Sequence, residues 1–203
     1  MKMIKKLLYV ISSILLLGPS LLHAAPTVKT DTAIFAGGCF WCTQADFNKV
    51  PGVIKTTAGY TGGDVASPTY EQVSADGTGH YEAVEVVYDP NQITYQQLLN
   101  AFWHSIDPLD ANGQFCDKGD QYRAVIFYRN AEQKKLAEES KNQLIKSKLF
   151  SHIATQILPA KTFYPAEEYH QQYYKKNPVR YRFYRYTCGR DQRLKKVWGG
   201  KSA

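Results

Sequence analysis

The run Gly37-Gly38-Cys39-Phe40-Trp41-Cys42 constrains the fold more than any other stretch, because it makes an extended chain turn sharply and start a helix. Before it, Thr32-Ala33-Ile34-Phe35-Ala36 is apolar and β-branched, the pattern of a buried strand. After it, apolar residues over 41–50 recur with helical spacing, and the two glycines permit the turn between. Cys39 is therefore predicted at or near a helix N-terminus. There the unpaired backbone N–H groups and the positive end of the helix dipole stabilise a thiolate, so Cys39 is expected to be more acidic than a free cysteine. An arbitrary cysteine is as often a small buried core residue. The glycine turn and a second cysteine three positions on favour a reactive thiol here.

The alternation continues along the chain. Strands are predicted over 32–36, 53–59, 81–88, 123–128 and 155–158, and helices over 41–49, 95–104 and 131–147. A glycine-rich loop fills 60–79, and a long loop over 106–119 is read as part of an active-site rim, since long loops in compact domains are usually functional or mobile. Strands alternating with helices predict an α/β fold, a two-layer sandwich of helices on a mixed sheet. Beyond 159 the pattern supports a short helix near 167–174 and then few regular signals, so a long irregular C-terminal segment carrying Cys188 is expected. No repeat, low-complexity segment or linker interrupts 25–203, which is read as a single domain.

Residues 1–24 read as a signal peptide: a basic start at Lys2, Lys5 and Lys6, an apolar core over 7–17, and a small-residue cleavage site at Leu22-His23-Ala24-Ala25. The apolar run is too short to be a convincing membrane span, and no cysteine follows it in lipobox position. The mature protein is expected to be exported, to a periplasm or the outside. Removing the three leader lysines lowers the formal net charge from +7 to +4, a modest excess. Arg180-Tyr181-Arg182-Phe183-Tyr184-Arg185-Tyr186 interleaves basic and aromatic residues as a nucleic-acid surface would. Export argues against nucleic acid, and the stretch is read as an amphipathic covering segment. Four cysteines in an exported chain ordinarily mean two structural disulfides, but Cys39-X-X-Cys42 offers a redox use. A four-cysteine zinc site normally has two close pairs and this chain has one, while Thr43 stands where haem attachment would need a histidine. No metal or cofactor is expected.

Gly-Cys-Phe-Trp after a strand resembles the active-site signature of the A-type peptide methionine sulfoxide reductases. The resemblance continues in order through Gly59-Tyr60-Thr61-Gly62-Gly63, Ser67-Pro68-Thr69-Tyr70, Gly79-His80-Tyr81-Glu82-Ala83-Val84, Tyr88-Asp89-Pro90, the stretch 117–123, and Pro165-Ala166-Glu167-Glu168-Tyr169-His170-Gln171-Gln172-Tyr173. It implies a ferredoxin-like core and reduction of the S epimer of methionine sulfoxide, free or in oxidised proteins. Reducing a sulfoxide requires a nucleophile at sulfur, a proton or hydrogen-bond donor at oxygen, and an apolar seat for the methyl group. Cys39 would supply the thiolate. Phe40 and Trp41 would supply the seat, although large apolar residues are commonly buried for packing alone. A strand glutamate such as Glu82 ordinarily faces water. The resemblance instead aligns it with the acid that protonates the sulfoxide oxygen, Tyr70 and Tyr122 with two hydroxyl donors to that oxygen, and Asp117 with an orienting carboxylate. His80 and Asp89 are left as structural.

Reduction would leave Cys39 as a sulfenic acid, which a second thiol converts to a disulfide for thioredoxin, or a periplasmic thioredoxin-like donor, to reduce. The chain departs from the common family pattern with Cys42 for glycine, Cys116 for asparagine and Asp120 for threonine. Cys188 lies in Tyr186-Thr187-Cys188-Gly189-Arg190 instead of a glycine-rich tail. Cys188, then Cys42, then Cys116 is the expected order of preference for the resolving thiol. The enzyme is expected to be monomeric. The rival readings are a thiol-disulfide oxidoreductase using Cys39-X-X-Cys42 and an exported binding module stapled by two disulfides.

Overall fold

The computed structural model describes residues 29–199, so the expected signal peptide lies outside the described residues. The chain runs β1 (Asp31–Ala36), α1 (Phe40–Phe47), β2 (Val53–Thr61), α2 (Tyr70–Ser74), β3 (Tyr81–Tyr88) and α3 (Tyr95–His104). A small hairpin, β4 (Gly113–Gln114) and β5 (Asp117–Lys118), precedes β6 (Val125–Tyr128), α4 (Ala131–Lys146), β7 (Gln156–Pro159) and β8 (Tyr164–Pro165). Three helices close it: α5 (Tyr173–Lys176), α6 (Pro178–Thr187) and α7 (Arg190–Trp198).

The main sheet has the order β7-β6-β1-β3-β2-β8. Its middle four strands, β6-β1-β3-β2, pair antiparallel throughout and form the ferredoxin-like core, while β7 adds parallel to β6 and makes the sheet mixed. Strand alternation decides which layer each side chain serves. In β1, Ala33 and Phe35 enter the larger core under the helices, whereas Ile34 and Ala36 join a smaller cluster with Val125 and Phe127. Phe35 stacks between Phe47 and Phe102 with ring centroids 4.9 and 5.0 Å away. Full burial of such a ring contributes about 1.5–3 kcal/mol. In β3, Val84, Val86 and Tyr88 face the same core. Glu82 therefore shares their side of the sheet and lies beneath the start of α1, not toward solvent.

Helix starts follow local chemistry. Thr69 with Gln72 and Thr94 with Gln97 form capping boxes for α2 and α3, and Asn130 caps α4. The expected loop over 60–79 is shorter than its glycines suggest, because β2 continues to Thr61 and α2 forms within it. The short helix expected near 167–174 is divided into a turn of 3-10 helix, Glu168–His170, and α5, since Gln172 takes a left-handed conformation with φ 52°.

The largest departure is the C-terminal segment, which was expected to be irregular and forms α6 and α7. Its helices have little apolar periodicity and are fastened by arginines. Arg185 Nη1 donates to Asp46 at 2.8 Å and Nη2 to Asp191 at 2.6 Å, and Arg193 Nε donates to Asp107 at 2.6 Å. Arg190 is only 2% exposed. It donates to the carbonyls of Gly37 at 3.2 Å and Ser105 at 2.8 Å, with its guanidinium 4.5 Å from the Phe115 ring centroid.

Candidate active site

The site is built where β1 hands over to α1. Gly38 has φ 81°, and a Cβ there would come within 2.6 Å of the Gln114 side chain, so only glycine fits the turn. Cys39 is the N-cap residue of α1 but makes no side-chain capping bond. The cap is supplied from the sheet: Glu82 Oε2 accepts from the Phe40 backbone N–H at 2.9 Å. The sulfur of Cys39 is left free to react.

Glu82 is 3% exposed. Burial pushes its carboxyl up to about 8, with further upward pressure from Asp117 and Cys42, against the opposing hydrogen bond from Phe40. It is thus mostly protonated at neutral pH and able to donate a proton. Tyr122, in the 3-10 turn Asp120–Tyr122, and Tyr70, first in α2, both have phenols held above their ordinary range, chiefly by burial. They lie within hydrogen-bonding reach of each other and both feel the charges of Glu82 and Cys39. Their hydroxyls remain donors at any working pH. Glu167 steadies this wall by accepting from the Tyr70 N–H and the Tyr60 hydroxyl, each at 2.9 Å.

The two aromatics expected to seat a methyl group divide their duties. Trp41 is half-buried, stacked on Tyr173 at 3.8 Å and held by its Nε1–H, which donates to His170 Nδ1 at 3.0 Å. Phe40 is 1% exposed and packs against Tyr60 and His170, so it backs the wall from inside the core.

The acidity expected of Cys39 is not what the resting site provides. Cys39 is 7% exposed, and burial, the Cys42 thiol and the Glu82 carboxyl push its thiol well up, with the Tyr184 hydroxyl pulling the other way. Cys42 is the acidic member of the pair, brought down to about 7 by its hydrogen bond with Cys39 and, against burial, by Arg190 and Arg185. Among the described residues Cys39 and Cys42 are the free thiols, both buried, and Cys116 and Cys188 form a disulfide. Asp117 lies beside that disulfide, 3.7 Å from Cys188 Sγ, and its Oδ2 accepts the Tyr184 hydroxyl at 2.5 Å. Burial raises the Asp117 carboxyl.

Sequence reasoning missed Tyr184, which reaches both Asp117 and Cys39. Its only signal was its place in the Arg/Tyr-rich run. It also missed Arg190, and it quoted Glu167, His170 and Tyr173 only as parts of a motif. Of the two residues left out of the candidate site, His80 anchors the glycine loop through Gly63 and Val65, and Asp89 accepts from Asn91 and Gln92.

A buried thiol pair, a protonated carboxyl and converging phenols on a ferredoxin-like sheet define a cysteine-dependent redox enzyme. The family model described as peptide methionine sulfoxide reductase matches residues 31–202. The chain is 52% identical over 177 residues to "Peptide methionine sulfoxide reductase MsrA 2" of Caulobacter vibrioides, spanning 87% of this chain and 89% of that one. Among solved structures, reduced Mxr1 from Saccharomyces cerevisiae is 33% identical with a TM-score of 0.69, covering 77% of this chain and 90% of that one. Mxr1 in complex with Trx2 is 25% identical with a TM-score of 0.50, covering 75% and 91%. The chain belongs to the peptide methionine sulfoxide reductase family.

Proposed function

We propose that the protein reduces the S epimer of methionine sulfoxide, free or in oxidised proteins, through a Cys39 sulfenic acid and then a disulfide. The observation that carries the assignment of roles is the buried Glu82 carboxyl on the same backbone N–H that opens the Cys39 helix. Cys39 attacks the sulfoxide sulfur as a thiolate. Glu82 protonates the oxygen, Tyr70 and Tyr122 donate hydrogen bonds to it, and Trp41, backed by Phe40, seats the methyl group. The oxygen passes to Cys39 as sulfenic acid and methionine leaves. Asp117 orients the rim through Tyr184. Cys188, Cys42 and Cys116 are the thiols available to form the disulfide. A thioredoxin-type dithiol then reduces it, in keeping with the complex of the similar Mxr1 with Trx2. The chain works as an exported monomer, its leader removed after residue 24 or 25.

A thiol-disulfide oxidoreductase would also use the close Cys39 and Cys42 pair, but it leaves Glu82, Tyr70 and Tyr122 without work. NADPH consumption coupled through thioredoxin separates the two. Turnover that depends on methionine sulfoxide is expected, and insulin reduction without sulfoxide would overturn the reading. Cys39→Ser is expected to form no methionine even in a single turnover, because a hydroxyl is a far poorer nucleophile; retained product would remove Cys39 from the role.

A further inference from the structure

We propose that Tyr169 is a specificity-determining residue whose exposed ring receives a cationic side chain lying within two places of the oxidised methionine on a polypeptide substrate. This rests on the reductase reading above and deepens it by naming the kind of polypeptide preferred.

Tyr169 is 54% exposed, and an isolated apolar side chain on a surface is ordinary. Its mount and its place set it apart. It stands in the 3-10 turn Glu168–His170, closed by the His170 N–H donating to the Glu167 carbonyl at 2.9 Å. On one side of the turn Ala166 is buried, and its N–H donates to the Ala58 carbonyl of β2 at 2.9 Å. On the other, the Gln171 side chain engages the same residue, donating to the Ala58 carbonyl at 2.8 Å and accepting its N–H at 3.0 Å. His170 itself is 2% exposed and accepts the Trp41 Nε1–H. A segment fastened to the sheet on both sides therefore presents the Tyr169 ring to solvent. The ring also sits on the rim of the candidate site. Its centroid is 4.2 Å from that of His170, which is 4.5 Å from that of Tyr70. Tyr169 thus continues, past His170, the wall to which Tyr70 belongs.

Residues two places apart in an extended chain are about 7 Å apart and project to the same side. That step matches the two ring spacings from Tyr70 to Tyr169. A polypeptide with its oxidised methionine against Trp41 and Tyr70 therefore brings a neighbouring side chain to Tyr169, whereas free methionine sulfoxide has none to bring. Charge around the ring selects the sign of that neighbour. The Tyr169 phenol is held above its ordinary range by partial burial, then by the carboxylates of Glu167 and Glu71, with Tyr70 adding to them. Glu71 is the exposed second residue of α2. Lys176, the cation on the adjoining residue, is already engaged by Glu168 at 2.7 Å. A lysine or arginine of the substrate lays its aliphatic stem on the ring and its charge near the two carboxylates, while an aspartate or glutamate meets repulsion there. The chain as a whole carries a formal +7, so this local preference runs against the long-range field.

The test measures kcat and KM of the full chain, recycled by a thioredoxin-type dithiol, on four substrates. Three are five-residue peptides blocked at both ends, with a central methionine sulfoxide between paired lysines, paired serines or paired glutamates. The fourth is N-acetylmethionine sulfoxide amide, which has no neighbouring side chain. Wild type should rank lysine above serine above glutamate, with kcat/KM for the lysine peptide about three- to tenfold above that for the glutamate peptide. Tyr169→Ala should raise KM for the lysine peptide and lower its kcat/KM at least about threefold more than that of the blocked single residue, the loss of one cation–ring contact and its packing. Tyr169→Phe keeps the ring and should keep the wild-type ranking, and Glu71→Gln should narrow the gap between lysine and glutamate peptides. A wild type that prefers the glutamate peptide overturns the proposal. So does a Tyr169→Ala loss of equal size on the lysine peptide and the blocked residue, which marks a merely structural side chain, and so does loss of the ranking in Tyr169→Phe. Absence of sulfoxide-dependent turnover by wild type on all four substrates defeats the reductase reading itself, a separate failure.

Discussion

The sheet core and the C-terminal cap hold their shapes by opposite means. In the core, Phe35, Phe47 and Phe102 stack among aliphatic side chains, and the stabilising force is removal of apolar surface from water. In the cap, α6 exposes Val179, Phe183 and Tyr186, Arg185 ties it to Asp191 of α7, and arginines grip the rest at Asp46, Asp107 and two backbone carbonyls. The groups proposed to react lie along the seam. The sheet side supplies Cys39 and Glu82, and the cap supplies Tyr184 and Cys188. The difference teaches that a non-directional core can fix a framework, while the cap needs directional charge pairs to place single atoms.

The comparison can be broken at four points. The largest effect is expected on the sheet side, where Glu82→Gln keeps the hydrogen bond to Phe40 but removes the proton and should slow methionine release in rapid-quench experiments by roughly 10²- to 10⁴-fold. In wild type the chemical step should weaken as pH rises through about 8, because the active form is the protonated acid. The same carboxyl has a stability signature. Its pKa in the folded state lies above the ordinary glutamate value of 4.5, so the stability linked to its proton is full below about 4.5 and is lost as pH rises through about 8. Glu82→Gln should therefore flatten that decline in denaturant melts, and an unchanged pH dependence would show that Glu82 does not titrate in the fold.

Phe35→Ala should cost about 3–5 kcal/mol of unfolding free energy, read by urea denaturation, with little sensitivity to salt. Tyr184→Phe removes one hydroxyl shared by Asp117 and Cys39 and should lower the single-turnover rate about tenfold, the effect of one hydrogen bond at a charged or polarised group. The smallest loss is expected for Arg193→Ala, about 1 kcal/mol, because the guanidinium is partly exposed; high salt should shrink the difference from wild type. A salt-sensitive Phe35→Ala loss beside a salt-insensitive Arg193→Ala loss would erase the contrast between the regions.

Legibility in the sequence follows the same divide. The core strands and the two long helices α3 and α4 were readable because apolar residues repeat at two or near 3.6, and Gly37-Gly38 marks the turn. The cap was legible only as an amphipathic covering segment in a tail expected to be irregular, because basic and aromatic residues alternate in it and its partners, such as Asp46, lie far away in the chain. Glu82 illustrates the intermediate case. Strand alternation places it with Val84 and Val86, but a carboxyl among valines is interpretable as an acid only with the resemblance or the fold in hand. The thiol acidity was misjudged for a related reason: the helix-terminus argument omitted the burial and the neighbouring Cys42 and Glu82 that outweigh it.

Because Glu82 Oε2 already accepts the Phe40 N–H, the acidic proton is left to the other carboxyl oxygen. In the proposed proton transfer the new carboxylate finds itself at the positive end of a helix, with a donor already aligned, and the existing bond becomes charge-assisted without any side chain turning. The helix behaves as a fixed counter-charge that receives the product of proton transfer. The donor stays protonated before reaction through its burial, and its conjugate base is held in register afterwards by the backbone that starts the helix behind the nucleophile, so the acid and the attacking sulfur keep one geometry through the cycle.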